Sequence, residues 1–333
     1  MINRPIYILG PCSAENREQV LITARQLQQA CGVQFVFRAG VWKPRTSPHT
    51  FQGAGDDALI WLREVKDTLE VPVATEVASP EHVQKAVAAG IDYLWLGART
   101  GASPIAVQEI ADAIKGYNVK GVLIKNPVNA DADLWIGNIE RLEATGVPVM
   151  AVHRGCNHQP CWAMAHTIRL ARPEIPLLLD PSHMSGDAAQ IRHLLAKAEE
   201  LNYDGAMVEI HCCPEQALSD SRQQISPESF QNIVTECSRH LRDVSKTDTE
   251  LHWLRAEIDE LDDCLWNALA SRMDVSRRIG EWKKAHHVAP LQPERYAKIL
   301  DKRKIWAQTN GMDDSFVEQI FDLIHRESLK QQE

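Results

Sequence analysis

From residue 5 to about 240, short apolar runs alternate with stretches whose apolar residues recur every three or four positions. The runs fall at 6–9, 33–37, 72–75, 93–96, 122–124, 147–152, 177–179 and 206–210. Helical periodicity fills the gaps, as at 103–115, 133–145 and 187–201. Eight strands, each followed by a helix, predict a parallel sheet, and that repeat number over 240 residues fits an α/β fold, a closed (β/α)8 TIM barrel. A doubly wound open sheet is the rival. It loses ground because Gly10-Pro11-Cys12-Ser13-Ala14-Glu15 follows the first run, without a Gly-x-Gly-x-x-Gly fingerprint.

Beyond residue 250 the pattern changes. Leu251, Leu254, Ile258, Leu261, Leu265 and Leu269 predict one long helix reaching about His287, with shorter helices near 293–308 and 313–331. The stretch 242–250 is polar and aperiodic, a linker. The expected domains are a barrel over 1–241, the linker 242–250, and a small all-α, three-helix domain over 251–333. So small a domain, with so long a helix, buries its stripe only against another chain. A homodimer through the tail is expected, with a homotetramer as the larger alternative.

Composition narrows the classes. Hydrophobic content of 44% and charged content of 24% describe a soluble globular protein. No apolar run approaches ~18 residues, so no membrane partner is expected. The N-terminus lacks signal-peptide anatomy, and eight scattered cysteines form no regular framework, which points to reduced thiols in the cytoplasm. A net charge of −9 argues against nucleic acid.

Against that acidic background, Arg38-Ala39-Gly40-Val41-Trp42-Lys43-Pro44-Arg45-Thr46-Ser47 stands out. Proline stops the strand, and arginine forks with hydroxyl donors on a stiff loop suit phosphate oxygens. In a barrel, chemistry gathers where strands end. Here the ends carry Cys12, Arg38 and Lys43, Glu76, Arg99, Lys125, Arg154, His183 and Glu209. Cys12, His183, Glu209 and, from the loop beyond, Asp220 make a mixed thiolate, imidazole and carboxylate set for Mn²⁺, Fe²⁺, Co²⁺ or Zn²⁺. Arg38, Lys43, Arg99, Lys125 and Arg154 repel one another unless an anion joins them. The barrel thus offers two anion sites, one at this cluster and one at Arg45, Thr46 and Ser47.

Residues 1 to about 240 closely resemble the metal-dependent 3-deoxy-D-arabino-heptulosonate 7-phosphate (DAHP) synthases of compact bacterial type. The motifs are Gly10-Pro11-Cys12-Ser13, Lys43-Pro44-Arg45-Thr46-Ser47, Gly97-Ala98-Arg99, Asp180-Pro181-Ser182-His183 and Glu209-Ile210-His211. The sister octulosonate 8-phosphate synthases have Lys-Ala-Asn-Arg in the loop, so Lys43-Pro44-Arg45-Thr46 points to the four-carbon aldose phosphate. The resemblance implies condensation of phosphoenolpyruvate with erythrose 4-phosphate, the first step of the shikimate pathway towards the aromatic amino acids. It implies that Arg38, Lys43, Arg99, Lys125 and Arg154 hold phosphoenolpyruvate and that Arg45, Thr46 and Ser47 hold the sugar phosphate. Cys12, His183, Glu209 and Asp220 would bind a Lewis-acid metal, manganese first. Lys43 and Glu76 are the candidates for proton movement.

The tail resembles the all-helical chorismate mutases through Leu254-Arg255-Ala256-Glu257-Ile258-Asp259-Glu260-Leu261-Asp262, Arg272-Met273 and Ile279-Gly280-Glu281-Trp282-Lys283, with Ser328 and Gln332 on the closing helix. On a wheel of ~100° per residue, Arg272 and Lys283 share a face and Arg255 lies well off it. The resemblance implies rearrangement of chorismate to prephenate. Arg255 of the partner subunit, Arg272, Arg295 and Ser328 would bind substrate, and Lys283 and Gln332 would stabilise charge on the ether oxygen. Gln292 and Tyr296 flank Arg295 where an aspartate and a glutamate commonly sit. Fusion of these two activities also suggests feedback sensing, with allosteric control of the barrel by a product of the tail. The alternative is a DAHP synthase whose tail is only a ligand-binding regulatory or dimerisation module.

Overall fold

The computed structural model describes residues 5–43, 50–240, 249–289 and 291–332, without the side chains of 237–240. The chain forms two compact units, residues 1–257 and 258–333. In the first, eight parallel strands close a barrel in sequence order: β1 (Ile6–Gly10), β2 (Phe35–Arg38), β3 (Val73–Glu76), β4 (Tyr93–Leu96), β5 (Gly121–Lys125), β6 (Val149–His153), β7 (Leu177–Leu179) and β8 (Gly205–Glu209). Closure runs along β1 and β8, from Ile6 opposite Gly205 to Gly10 opposite Glu209. The expected barrel is the one observed.

Around it lie α1 (Arg17–Ala30), α2 (Asp57–Leu69), α3 (Pro80–Ala88), α4 (Ala98–Gly101), α5 (Pro104–Ile114), α6 (Ala132–Glu143), α7 (Trp162–Ala171), α8 (Pro181–Ser185), α9 (Ile191–Glu200) and α10 (Pro227–His240). Their starts are written locally. Asn16, Ser79, Ser103 and Asp131 each accept a backbone N–H three residues on, and Pro80 and Pro104 open their helices without a donor to lose. The single helix expected over 187–201 is a 3-10 turn at Ala188–Gln190 followed by α9.

A strand's side chains alternate, and here the alternation decides where chemistry goes. Ile6, Ile8, Val36, Ala74, Tyr93, Trp95, Leu123, Met150, Val152, Leu178 and Met207 pack together inside the barrel. Their neighbours, among them Leu9, Phe37, Leu94 and Leu179, pack outward against the helices. Counting two residues on from the uppermost inward positions gives Gly10, Arg38, Glu76, Gly97, Lys125, Arg154, Asp180 and Glu209. One period-two register therefore carries an apolar plug below and polar groups above it.

The remaining helices are α11 (Thr249–Ala285), α12 (Pro293–Thr309) and α13 (Asp314–Lys330). The first turns of α11 belong with the barrel. Trp253, 1% exposed, lies against the rings of His166, Tyr203 and Trp162 at 5.3, 5.5 and 6.4 Å. His252 and Glu200 pair at 2.6 Å, and His166 pairs with Glu257. Within the second unit, Tyr296 of α12 stacks on Phe321 and His325 of α13.

Candidate active site and metal centre

The barrel mouth is a cavity of about 370 Å³ whose lining includes Arg38, Lys43, Glu76, Arg99, Lys125, Arg154, His183, Asp220 and Gln223. Its volume suits a small metabolite. Arg38 is fully buried: its guanidinium lies 4.8 Å over the Trp95 ring, and Nη2 donates to Glu209 Oε1 at 3.0 Å. Arg38 Nε and Nη1 are buried without a hydrogen-bond partner. Burying such donors unmatched costs on the order of 1–3 kcal/mol each, which a bound anion removes.

Lys43 Nζ lies 3.7 Å from Glu76 Oε2. Burial works against its charge, but the neighbouring Cys12, Glu76 and Glu209 outweigh that and raise its pKa. Lys125 Nζ donates to Asp180 Oδ2 at 2.6 Å. Burial dominates there and holds the lysine below its ordinary value, although Asp180 opposes it. Arg154 donates through Nη2 to the His183 carbonyl at 3.5 Å, and its amide is fixed by Asn126 Oδ1 at 2.7 Å. Arg99 enters from α4, which follows Gly97. A Cβ at Gly97 would sit 2.3 Å from Glu76 Oε1, so the carboxylate needs that glycine. Arg45, Thr46 and Ser47 lie outside the described residues.

On the same side, ligand atoms of Cys12, Glu209 and Asp220 fall within 4.8 Å of one another. The Cys12 thiol donates to Asp220 Oδ2 at 2.9 Å, and His183 Nε2 lies 3.5 Å from Glu209 Oε1. Burial, then the Glu209 charge, push the Cys12 thiol up to about 12. This donor set fits a divalent first-row ion. Its surroundings are ordered too. Asp180 Oδ2 lies 2.9 Å from His183 Nδ1, which orients the ring with Nε2 towards Glu209. Gln223 Nε2 donates to Glu209 Oε2 at 2.7 Å, and Gln224 Oε1 accepts the Cys12 amide at 3.0 Å.

Sequence reasoning gave no role to Asp180, Gln223 or Trp95. Asp180 was findable: it follows inward Leu178 by two residues and precedes His183 by three. Gln223 and Gln224 carry no such signal, because they reach the site from a short 3-10 turn, Ser221–Gln223, and the residue that caps it.

In the second unit, Arg272 Nη1 donates to Ser328 Oγ, and Lys283 Nζ donates to Gln332 Oε1 at 2.9 Å. The approach depends on Gly280, where a Cβ would stand 2.6 Å from the Gln332 Cα. Burial, reinforced by Arg295, lowers the Lys283 pKa. Tyr296 donates to Asp322 Oδ1 at 2.9 Å. Arg255 is exposed on α11, and Arg295, on α12, is exposed too.

Comparison with known proteins finds two families along the chain. Residues 3–243 match the family model described as the DAHP synthetase I family, and residues 254–333 match chorismate mutase type II. A phospho-2-dehydro-3-deoxyheptonate aldolase of Thermotoga maritima is 32% identical over 239 residues, covering 70% of this chain and 68% of that one. A crystal structure of the Thermotoga maritima DAHP synthase superposes with a TM-score of 0.63 at 28% identity, over 72% of this chain and 70% of its own. A 4-amino-4-deoxychorismate mutase of Streptomyces venezuelae is 37% identical over 75 residues, 22% of this chain and 73% of that protein.

Proposed function

Since the chain belongs to the DAHP synthetase I family over its barrel and to the type II chorismate mutases over its tail, we propose that it is a bifunctional enzyme with the following division of labour. The barrel joins phosphoenolpyruvate, erythrose 4-phosphate and water to give DAHP and inorganic phosphate. The observation that carries this reading is the convergence of Arg38, Lys43, Arg99, Lys125 and Arg154 on one cavity beside the metal-type donors of Cys12, Glu209 and Asp220, with His183 Nε2 3.5 Å from Glu209.

Arg38, Lys43, Arg99, Lys125 and Arg154 hold the carboxylate and phosphate of phosphoenolpyruvate, and Arg45, Thr46 and Ser47 hold the sugar phosphate. Fixing two reactants face to face makes their encounter effectively unimolecular, which removes up to about 7–11 kcal/mol of the barrier. Cys12, His183, Glu209 and Asp220 would hold a divalent metal, manganese first among manganese, iron, cobalt and zinc, and such an ion would supply Lewis-acid polarisation of the aldehyde. The enol carbon of phosphoenolpyruvate bonds to the aldehyde carbon, whose oxygen becomes a hydroxyl. Water adds to the resulting oxocarbenium-like carbon, and phosphate then leaves. Glu76 takes the proton from that water, and Lys43, within 3.7 Å, passes one to the new hydroxyl.

Phosphate release from the two substrates tests this. It stops on chelation and returns with Mn²⁺, and Lys43→Met lowers kcat by roughly 10³-fold. Equal rates with a five-carbon aldose phosphate, or full activity in chelator, would overturn the assignment.

The tail converts chorismate to prephenate as a homodimer in the cytoplasm. Arg272, Arg295, Ser328 and the partner's Arg255 bind the substrate, while Lys283 and Gln332 stabilise the ether oxygen. Arg272→Ala lowers the mutase kcat/KM by about 10²-fold, on the scale of losing a charged hydrogen bond to a substrate carboxylate. The assay runs chorismate beside 4-amino-4-deoxychorismate, because the Streptomyces relative is named for the latter. The tail also senses product: prephenate added to the synthase assay slows it, and an unchanged rate removes that part of the proposal.

A further inference from the structure

Beyond Glu209 the chain leaves the barrel through Ile210 and His211 to the adjacent Cys212 and Cys213, then a 3-10 turn over Pro214–Gln216, and reaches Asp220. We propose that Cys212 and Cys213 are a modification site, a vicinal thiol pair that a hydroperoxide oxidises to an intrachain disulfide, loosening the segment that ends at Asp220.

Both thiols are part-exposed at the rim, whereas Cys12, Cys31 and Cys156 are buried. Burial pushes Cys12 up to about 12 and Cys31 up to about 11, which leaves them almost no thiolate. The two rim thiols are not equivalent. Cys212 Sγ lies 3.9 Å from His211 Nδ1, and its amide donates to Thr23 Oγ1 at 3.2 Å. Burial alone would raise the Cys212 pKa, but the neighbouring His211 ring and Thr23 side chain outweigh burial and lower it. Cys213 Sγ donates instead to Glu215 Oε1 at 2.8 Å, and that bond keeps it protonated. Cys212 is therefore the attacking sulfur and Cys213 the resolving one.

The steps balance. The Cys212 thiol and a hydroperoxide give a sulfenic acid and the corresponding alcohol, or water from hydrogen peroxide. The Cys213 sulfur then displaces hydroxide from the Cys212 sulfur, the S–S bond forms, and water leaves with the Cys213 proton. Closing the ring has a structural consequence. The two sulfurs now lie beside different groups, so bringing them together turns the peptide between them. That turn breaks the Cys213 N–H bond to His211 Nδ1 (2.9 Å) and the thiol bond to Glu215. The disturbance enters a short segment held by the Leu218 amide on Glu15 (2.8 Å) and by the Ser219 and Ser13 hydroxyls (2.6 Å).

The test uses the full-length, metal-free, reduced protein and a few equivalents of hydrogen peroxide. Peptide mapping is expected to find a loss of about 2 Da on the fragment carrying both residues, reversed by dithiothreitol, with the Cys12 fragment unchanged. Cys213→Ser is expected to stop at a sulfenic acid that a cyclic 1,3-diketone traps on Cys212. Cys212→Ser is expected to slow thiol loss on that fragment at least about tenfold. Deuterium uptake over 213–220 rises in the oxidised protein. First oxidation at Cys213 or Cys12, pairing with any other cysteine, an unslowed Cys212→Ser variant, or unchanged uptake would each overturn the proposal.

Discussion

His153 and Gly97 differ in the face they occupy, and each has a measurable consequence. His153 ends β6 on the outward register, fully buried, with Nδ1 2.8 Å from the Tyr203 hydroxyl. Burial drives its pKa down to about 3. The folded protein thus refuses a proton that the unfolded chain accepts near pH 6.5, so its share of stability is full above that pH and drains as pH falls towards 3. From pH 7 to pH 5 the loss is about 2 kcal/mol. Urea titrations at the two pH values are expected to show that loss, and His153→Gln to remove most of it. Gly97 touches function instead. Gly97→Ala pushes the Glu76 carboxylate aside, which is expected to lower synthase kcat by roughly 10²-fold while the thermal midpoint barely moves.

At the scale of elements, the strand ends were legible because apolar runs stop abruptly at charged residues and the two-residue period tells inward from outward. Arg38, Glu76, Lys125 and Glu209 follow from that rule alone. The first turns of α11 were not legible. Trp253 stands one residue before Leu254, hence ~100° off the apolar stripe that predicted the helix, and nothing local says what covers it. The structure buries it among His166, Tyr203 and Trp162. Trp253→Ala is expected to destabilise the barrel unit by about 3–5 kcal/mol, read from its denaturation midpoint. Deuterium uptake at 249–257 should rise in step. A variant as stable as the parent would mean the contact contributes nothing.

For the whole molecule, the stripe that predicted pairing stays uncovered in a single chain: Ile258, Leu261 and Leu265 are 58%, 67% and 53% exposed. A face of that kind is an interface in waiting. Combined replacement of Leu261 and Leu265 by glutamate is expected to yield a monomer in light scattering. On the proposed dimer, in which the partner's Arg255 completes the mutase site, it should abolish mutase activity and leave phosphate release by the barrel measurable. Dimers that survive both charges would place the interface elsewhere.

Arg38 has a further consequence. Two of its nitrogens are buried and unmatched by any protein group, so the barrel holds in reserve a stabilisation that an incoming anion completes. Phosphoenolpyruvate at about a hundred times its dissociation constant is expected to add ~2.7 kcal/mol, seen as a higher melting midpoint. Arg38→Met should erase most of that rise. If phosphoenolpyruvate is the reactant, a starved barrel is expected to open to proteases more often than a fed one, so that the amount of enzyme would track the supply of its own reactant.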